Sequence, residues 1–236
     1  MNGESYTLER EQMKHIPNQI AIDGTAASGK TTVGKIVAKK LDYMFFDTGI
    51  MYRVAAYGTN QKLHDVSDEK KVSKIVEAMD ITLQNDPENG VTNVLLDGRN
   101  ITDLLHLPEV DKIVSTVAAY PAVRTALTIQ QRKIGLQGRV VMVGRDIGTV
   151  VMPDAELKIY LEASAETRAK RRYLENLSNH IESESYETIL ADIIKRDKAD
   201  SEREVAPLRP ADDAVIIHTD DLTAMEVAQK ILEQLK

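Results

Sequence analysis

Apolar positions along this chain follow two rhythms. Short unbroken runs alternate with longer stretches in which apolar residues return every three or four positions, the spacing of one helix face. The segment Gln19-Ile20-Ala21-Ile22-Asp23 is a run of the first kind and predicts a buried strand. After a glycine-bounded gap, Val33, Ile36, Val37 and Leu41 keep helical spacing. Tyr43-Met44-Phe45-Phe46 predicts a second strand, ending in Asp47-Thr48-Gly49.

The middle of the chain breaks this pattern. Val72, Ile75, Val76 and Met79 share one face of a helix that Ser67 is expected to cap. Residues 81–84 and 91–96 read as strands around the turn-rich Asp86-Pro87-Glu88-Asn89-Gly90. Asp97-Gly98 is a second hairpin signal, leading to Arg99-Asn100-Ile101. This meander predicts an inserted subdomain over 62–108. The earlier rhythm then resumes, with a helix over 122–134 and strands over 140–143 and 157–161. A polar, Arg-rich helix follows over about 165–177, and another over about 186–198. A strand over 214–217 and a helix marked by Val227, Ile231 and Leu235 complete the chain. Alternating strands and helices imply an α/β fold, a parallel sheet with helices on both faces. The domain is expected over 18–236, behind a polar extension over 1–17.

Composition narrows the function classes. The 236 residues suffice for a proper core, and 42% hydrophobic with 28% charged residues is ordinary for a soluble globular protein. With no Trp and two Phe, that core must be mostly aliphatic. A net charge of −7 argues against a general nucleic-acid binder but leaves room for a local basic pocket. The absence of cysteine excludes disulfides, thiolate nucleophiles and Cys-based metal sites. The first 15 residues, with Glu4, Glu9, Arg10, Glu11 and Lys14, lack the hydrophobic stretch of a secretory signal. No apolar run approaches the roughly 18 residues of a membrane span. A cytoplasmic, monomeric protein without a nucleic-acid or membrane partner is the expectation. The five histidines show no metal-ligand spacing.

Chemistry enters between the first strand and the first helix. Gly24-Thr25-Ala26-Ala27-Ser28-Gly29-Lys30-Thr31 matches the eight-residue phosphate-binding P-loop in full, with Thr32 following. In such a loop successive backbone N–H groups curl around the phosphates, and the helix N-terminus adds positive potential. Lys30 would reach the phosphates, and the Thr31 hydroxyl can ligate Mg²⁺. A nucleoside triphosphate is the expected ligand. No glycine has an Asp three residues before it, and there is no Asn-Lys-x-Asp, so a GTPase is not expected.

Transfer between two phosphorylated molecules brings many negative charges together, and catalysis is then positioning plus cationic clamps. Arg168, Arg171 and Arg172 are spaced i, i+3, i+4 and are expected to share a helix face. Arg53, Arg124, Arg145, Arg196 and Arg203 fall in or near turns and helix ends. Arginine suits this work because its planar fork grips phosphate oxygens in pairs. Glu162, Glu166 and Glu175 offer Arg168 the alternative of ordinary surface pairing. Arg145 stands in Gly144-Arg145-Asp146-Ile147-Gly148-Thr149, directly after an apolar strand, where α/β proteins place ligands.

Four segments in this order make the chain resemble the bacterial cytidylate kinase family, P-loop enzymes that phosphorylate CMP and dCMP. They are Ile22-Asp23-Gly24 with the P-loop, Asp47-Thr48-Gly49-Ile50-Met51-Tyr52-Arg53, the Gly144 to Ala155 stretch, and Arg196-Asp197 through Arg203 to Ala206-Pro207-Leu208. The resemblance implies that Thr48, Tyr52 and Arg53 hold the acceptor nucleotide. It implies that Ser115, Arg124 and Asp146 read the cytosine, and that Arg145 grips the acceptor phosphate. Arg196, Asp200 and Arg203 would lie near the sugar. Arg168, Arg171 and Arg172 would fall in a closing lid over about 163–184, with Lys30, Arg145, Arg168 and Arg172 as the catalytic cations. The meander would be the nucleoside-monophosphate (NMP) subdomain. ATP would be the donor, with Mg²⁺, and CMP or dCMP the acceptor.

The residues agree with these roles. A carboxylate at Asp146 accepts from the cytosine N4 amino group, where uracil offers a carbonyl. Two departures stand out. Thr25 replaces the family's usual proline, and Val143 replaces the acid usually found before Gly-Arg-Asp, so either that acid is dispensable or Asp23 or Asp47 shares its task toward Mg²⁺. His218 stands where an Asp is common. A kinase of another small acceptor such as UMP, and a non-catalytic nucleotide-binding homologue, remain alternatives at this point.

Overall fold

The computed structural model describes residues 16–63, 65–85, 92–178 and 184–235. These fall into two compact units. The first comprises the described parts of Met1–Phe46, Gln137–Ser201 and Leu208–Lys236, and the second Asp47–Leu136 and Glu202–Pro207.

The first unit is built on a five-stranded sheet. Its strands are β1 (Gln19–Gly24), β2 (Met44–Asp47), β6 (Val140–Val143), β7 (Leu157–Glu162) and β8 (Val215–His218), in the order β2-β6-β1-β7-β8. β1 runs parallel to both β6 and β7, and β7 parallel to β8. A strand inside a parallel sheet is covered on both faces, so it reads as a continuous apolar run. β1 and β6 fit this, with Ile20, Ala21, Ile22 and all four β6 residues buried. Helix α1 (Lys30–Leu41) packs on β6 and on the last helix, α8 (Ala224–Leu232). Val33, Val37, Val227 and Ile231 join the strands in one aliphatic core. Thr223 and Glu226 close α8 with a reciprocal capping box. Helices α6 (Ala165–Ser178) and α7 (Tyr186–Glu202) form a smaller cluster through Ala169, Ile189 and Ile193. The parallel α/β architecture is as expected.

The second unit carries α2 (Gly49–Asn60), α3 (Glu69–Glu77), α4 (Pro108–Ala119) and α5 (Pro121–Gly135). Its sheet is antiparallel, β3 (Ile81–Asn85), β4 (Thr92–Leu96) and β5 (Arg99–Asn100). All three strands lie within 62–108. Asp97 (φ 50°) and Gly98 (φ 79°) form the tight left-handed turn joining β4 to β5, as their sequence predicts. The Asp86 to Gly90 turn lies outside the described residues, as does most of the 1–17 extension. One capping expectation is corrected. Asp68, not Ser67, caps α3, accepting from the Lys71 N–H at 3.1 Å, while Ser67 donates its hydroxyl to Asp65. Gly58 packs closely: a Cβ there would stand 2.5 Å from Met79 Cε and 2.9 Å from Leu96 Cδ2, so those side chains would have to shift. Among the described residues, no helix is long and apolar enough to cross a membrane.

Candidate active site

The phosphate loop forms where β1 ends. A Cβ at Gly24 would lie 2.3 Å from the Leu161 carbonyl oxygen on neighbouring β7, so only glycine fits. Ala27 (φ 57°) and Gly29 (φ 90°) take left-handed conformations, which fold the chain into a concavity ahead of α1. Among the described residues no side chain caps α1 and no acid sits in its first turn, as suits a helix N-terminus that receives an anion. Lys30 curls back into the loop, donating to the Thr25 carbonyl at 2.5 Å and the Ser28 hydroxyl at 3.2 Å. The Thr25 hydroxyl is buried without a hydrogen-bond partner among the described residues. A loop with an uncapped helix end, an ammonium turned into it and a buried unpaired hydroxyl fits a bound polyphosphate.

The Gly-Arg-Asp loop leaves β6, the strand beside β1. The Gly144 N–H donates to the Ile22 carbonyl, extending the parallel ladder one step. The chain then makes a single wide turn over Ile147–Val151, in which Val151 and Met152 donate to carbonyls five residues back. Such π-type turns recur at functional sites. Asp146 is buried, and Arg145 is ion-paired with Asp200 of α7.

Asp23, the residue before Gly24, joins the two loops. One of its oxygens accepts from the Ile147 N–H at 2.8 Å and the other from the Gly148 N–H at 2.7 Å. Its side chain is buried, and desolvation drives its pKa up to about 6. The two amide hydrogen bonds and Lys30 pull the other way, and the Asp146 charge adds to the rise.

The arginines of α6 lie along one side of the helix but reach different partners. Arg168 is 3% exposed, so the surface-pairing alternative does not hold for it. It donates to the Ala26 carbonyl in the P-loop at 3.1 Å and makes a two-pronged pair with Asp197 of α7, at 3.1 and 2.5 Å. Arg171 is spent on the segment before α8, donating to Thr219 Oγ1 at 3.2 Å and to the Thr219 carbonyl. Arg172 is half-exposed and 3.9 Å from Glu175. The three side chains therefore go to three separate partners. Arg196, on α7, is exposed.

The second unit gathers the remaining candidates. Thr48 is buried at the start of α2, and the Asp47 carboxylate accepts from the Gly49 N–H at 2.9 Å. The Arg124 guanidinium is buried 5.2 Å from the centroid of the Tyr52 ring and donates to the Ala118 carbonyl. Arg53 donates to the Leu105 carbonyl at 2.9 Å and to Asp111 at 2.6 Å. That ties α2 to α4, and Ser115 stands exposed one turn beyond Asp111. Arg203 donates to the Ala206 carbonyl, closing the short turn after α7.

No group of three or more His, Cys, Asp or Glu is arranged to hold a metal among the described residues. Both Asp23 oxygens are engaged by backbone N–H groups. Val143 is 1% exposed in the sheet core, against Gly34, where a Cβ would meet its Cγ1 at 2.7 Å. Thr31, at the start of α1, is the donor that fits an ion held mainly by phosphate oxygens and water, the usual habit of Mg²⁺. His218 pairs with Glu162, its register neighbour across β7 and β8, at 3.2 Å.

Sequence reasoning did not single out Asp197 or Asp111 as arginine partners. Asp197 lies one turn before Asp200 on α7, and that i, i+3 pair of acids was the available signal.

Comparison with known proteins agrees with this geometry. The family model described as cytidylate kinase matches residues 20–236. The chain is 46% identical over 217 residues to the cytidylate kinase of Bacillus subtilis (strain 168), covering 92% of this chain and 96% of that one. It is 48% identical to the cytidylate kinase of Bacillus velezensis, covering 91% and 94% of the two chains. The Carboxydothermus hydrogenoformans cytidylate kinase is 45% identical, with 91% and 96% covered. The phosphate loop, the Gly-Arg-Asp loop and a match of this extent place the chain in the cytidylate kinase family.

Proposed function

We propose that the protein transfers the γ-phosphoryl group of ATP to CMP or dCMP, giving ADP and CDP or dCDP. The observation that carries this reading is the pairing of β1 with β6. It sets a phosphate loop and a Gly-Arg-Asp loop at the same end of adjacent parallel strands, where open α/β sheets bind ligands.

In this reading the backbone of residues 24–32 cradles the ATP phosphates, and Lys30 leaves the Thr25 carbonyl to meet them. Thr31 would hold a magnesium ion, which would supply charge to offset that of the phosphates. Arg145 exchanges Asp200 for the acceptor phosphate, which frees Asp200 for the sugar beside Arg196 and Arg203. Thr48, Tyr52 and Arg53 hold the acceptor nucleotide. Asp146 accepts from the cytosine amino group, with Ser115 and Arg124 as further base contacts. No protein general base is needed, because the acceptor phosphate is already anionic near neutral pH. Charge build-up in transfer is met by Lys30, Arg145, Arg168 and Arg172, which act by position rather than by proton transfer. Residues 62–108 serve as the NMP subdomain, and about 163–184 as the lid.

Product analysis tests the reaction. With ATP, CMP and Mg²⁺, ³¹P NMR should show ADP and CDP appearing in equal amounts. ATP binding without CDP formation would contradict the proposal and favour a non-catalytic homologue.

A further inference from the structure

Asp23 is a costly residue. It is a fully enclosed carboxylate at the end of an apolar strand, with burial outweighing its hydrogen bonds. Such a group is kept only where something depends on its charge or its two acceptors. Its surroundings show what that is. The wide turn over Ile147–Val151 begins with two N–H groups, Ile147 and Gly148, that come before its first internal donor, the Val150 N–H. Asp23 takes one on each oxygen. It thereby caps a turn lying more than a hundred residues away in sequence, and Arg145 and Asp146 are the two residues just before that turn.

Resting on the function proposed above, we propose that Asp23 is a positioning residue for the acceptor. Its two-oxygen grip fixes the Gly-Arg-Asp loop to the strand that carries the phosphate loop, so that Arg145 and Asp146 are presented in fixed register with the donor site. A metal-ligand role fits worse, since both oxygens already accept from buried amides. An asparagine is nearly isosteric but offers one acceptor oxygen. Its amide nitrogen would face a second N–H, donor against donor. The grip is therefore specific to the carboxylate.

The test uses Asp23→Asn in the full chain. Hydrogen exchange followed by NMR should show lost protection at the Ile147 and Gly148 amides, with β1 and β6 amides unchanged. Steady-state kinetics should show kcat/KM for CMP down about a hundred-fold, the scale of a reacting group displaced by about 1 Å. ATP affinity and the Mg²⁺ concentration for half-maximal rate should stay at the wild-type values. Retained amide protection, unchanged CMP kinetics, or a shifted Mg²⁺ requirement would each overturn the proposal, the last by marking Asp23 as a metal ligand. Should Asp23→Asn fail to fold, Gly148→Val strains the same contact with Asp23 in place. A Cβ at 148 stands 3.2 Å from Lys158 Cδ and 3.4 Å from Asp23 Oδ2. It should give the same selective loss toward CMP, and wild-type CMP kinetics would overturn the proposal. A wild-type protein that makes no CDP contradicts the function instead, and leaves the exchange experiment to judge the Asp23 grip.

Discussion

At the scale of single residues, Lys30 is proposed to meet transition-state charge and Asp146 to read the base. Removing one preorganised donor aimed at developing charge costs on the order of 10²–10³ in rate. Lys30→Ala should therefore lower kcat by about that factor while the protein stays folded, measured by coupled assay and circular dichroism. Asp146→Ala should cut kcat/KM for CMP by about tenfold or more, with ATP affinity spared. Unchanged CMP kinetics would refute the base-reading role. Asp23 adds a pH signature. Its native pKa, near 6, lies above its ordinary value of 3.8, so the native state binds the extra proton between those limits. Stability from this group is then fully present below about pH 4 and is lost as pH rises through 6. Asp23→Asn lacks that slope. Its stability relative to wild type should rise between pH 4 and 7 by an amount on the order of 3 kcal/mol, read from urea unfolding at several pH values.

At the scale of elements, much was legible in the sequence where local chemistry decides structure. The P-loop, the Asp97-Gly98 turn and β6 follow from glycine placement and unbroken apolar runs. Helix α2 was not read from periodicity, and its burial explains why. Met51, Tyr52 and every residue from Val54 to Thr59 are buried, so no polar face marks a period. The fate of the α6 arginines was equally hidden. Identical residue types at helical spacing end on Asp197, on Thr219 and on Glu175, and only tertiary packing selects among these. Arg171 anchors α6 to the segment before α8, so Arg171→Ala should lower stability by about 1–3 kcal/mol. A kinetic parameter for ATP or CMP that moved more than the melting temperature would indicate a direct role instead. The two acids of α7, Asp197 and Asp200, hold Arg168 and Arg145 respectively, so this helix anchors two of the cations proposed to act in catalysis.

At the scale of the whole molecule, an acidic chain of net charge −7 handles polyanions by concentrating its cations locally. Arg168 lies on the phosphate loop and Arg145 follows the strand beside it, each matched to a carboxylate. The Val143 side chain, at the end of that strand, belongs to the aliphatic core. The acceptor remains the decisive question, and a steady-state panel of CMP, dCMP, UMP and AMP with ATP and Mg²⁺ addresses it most directly. Turnover of CMP and dCMP is expected, with UMP and AMP lower in kcat/KM by on the order of 10² or more, because uracil offers Asp146 a carbonyl in place of the cytosine amino group and the two-ring adenine carries its amino group in a different place. Equal turnover of all four acceptors would contradict this expectation.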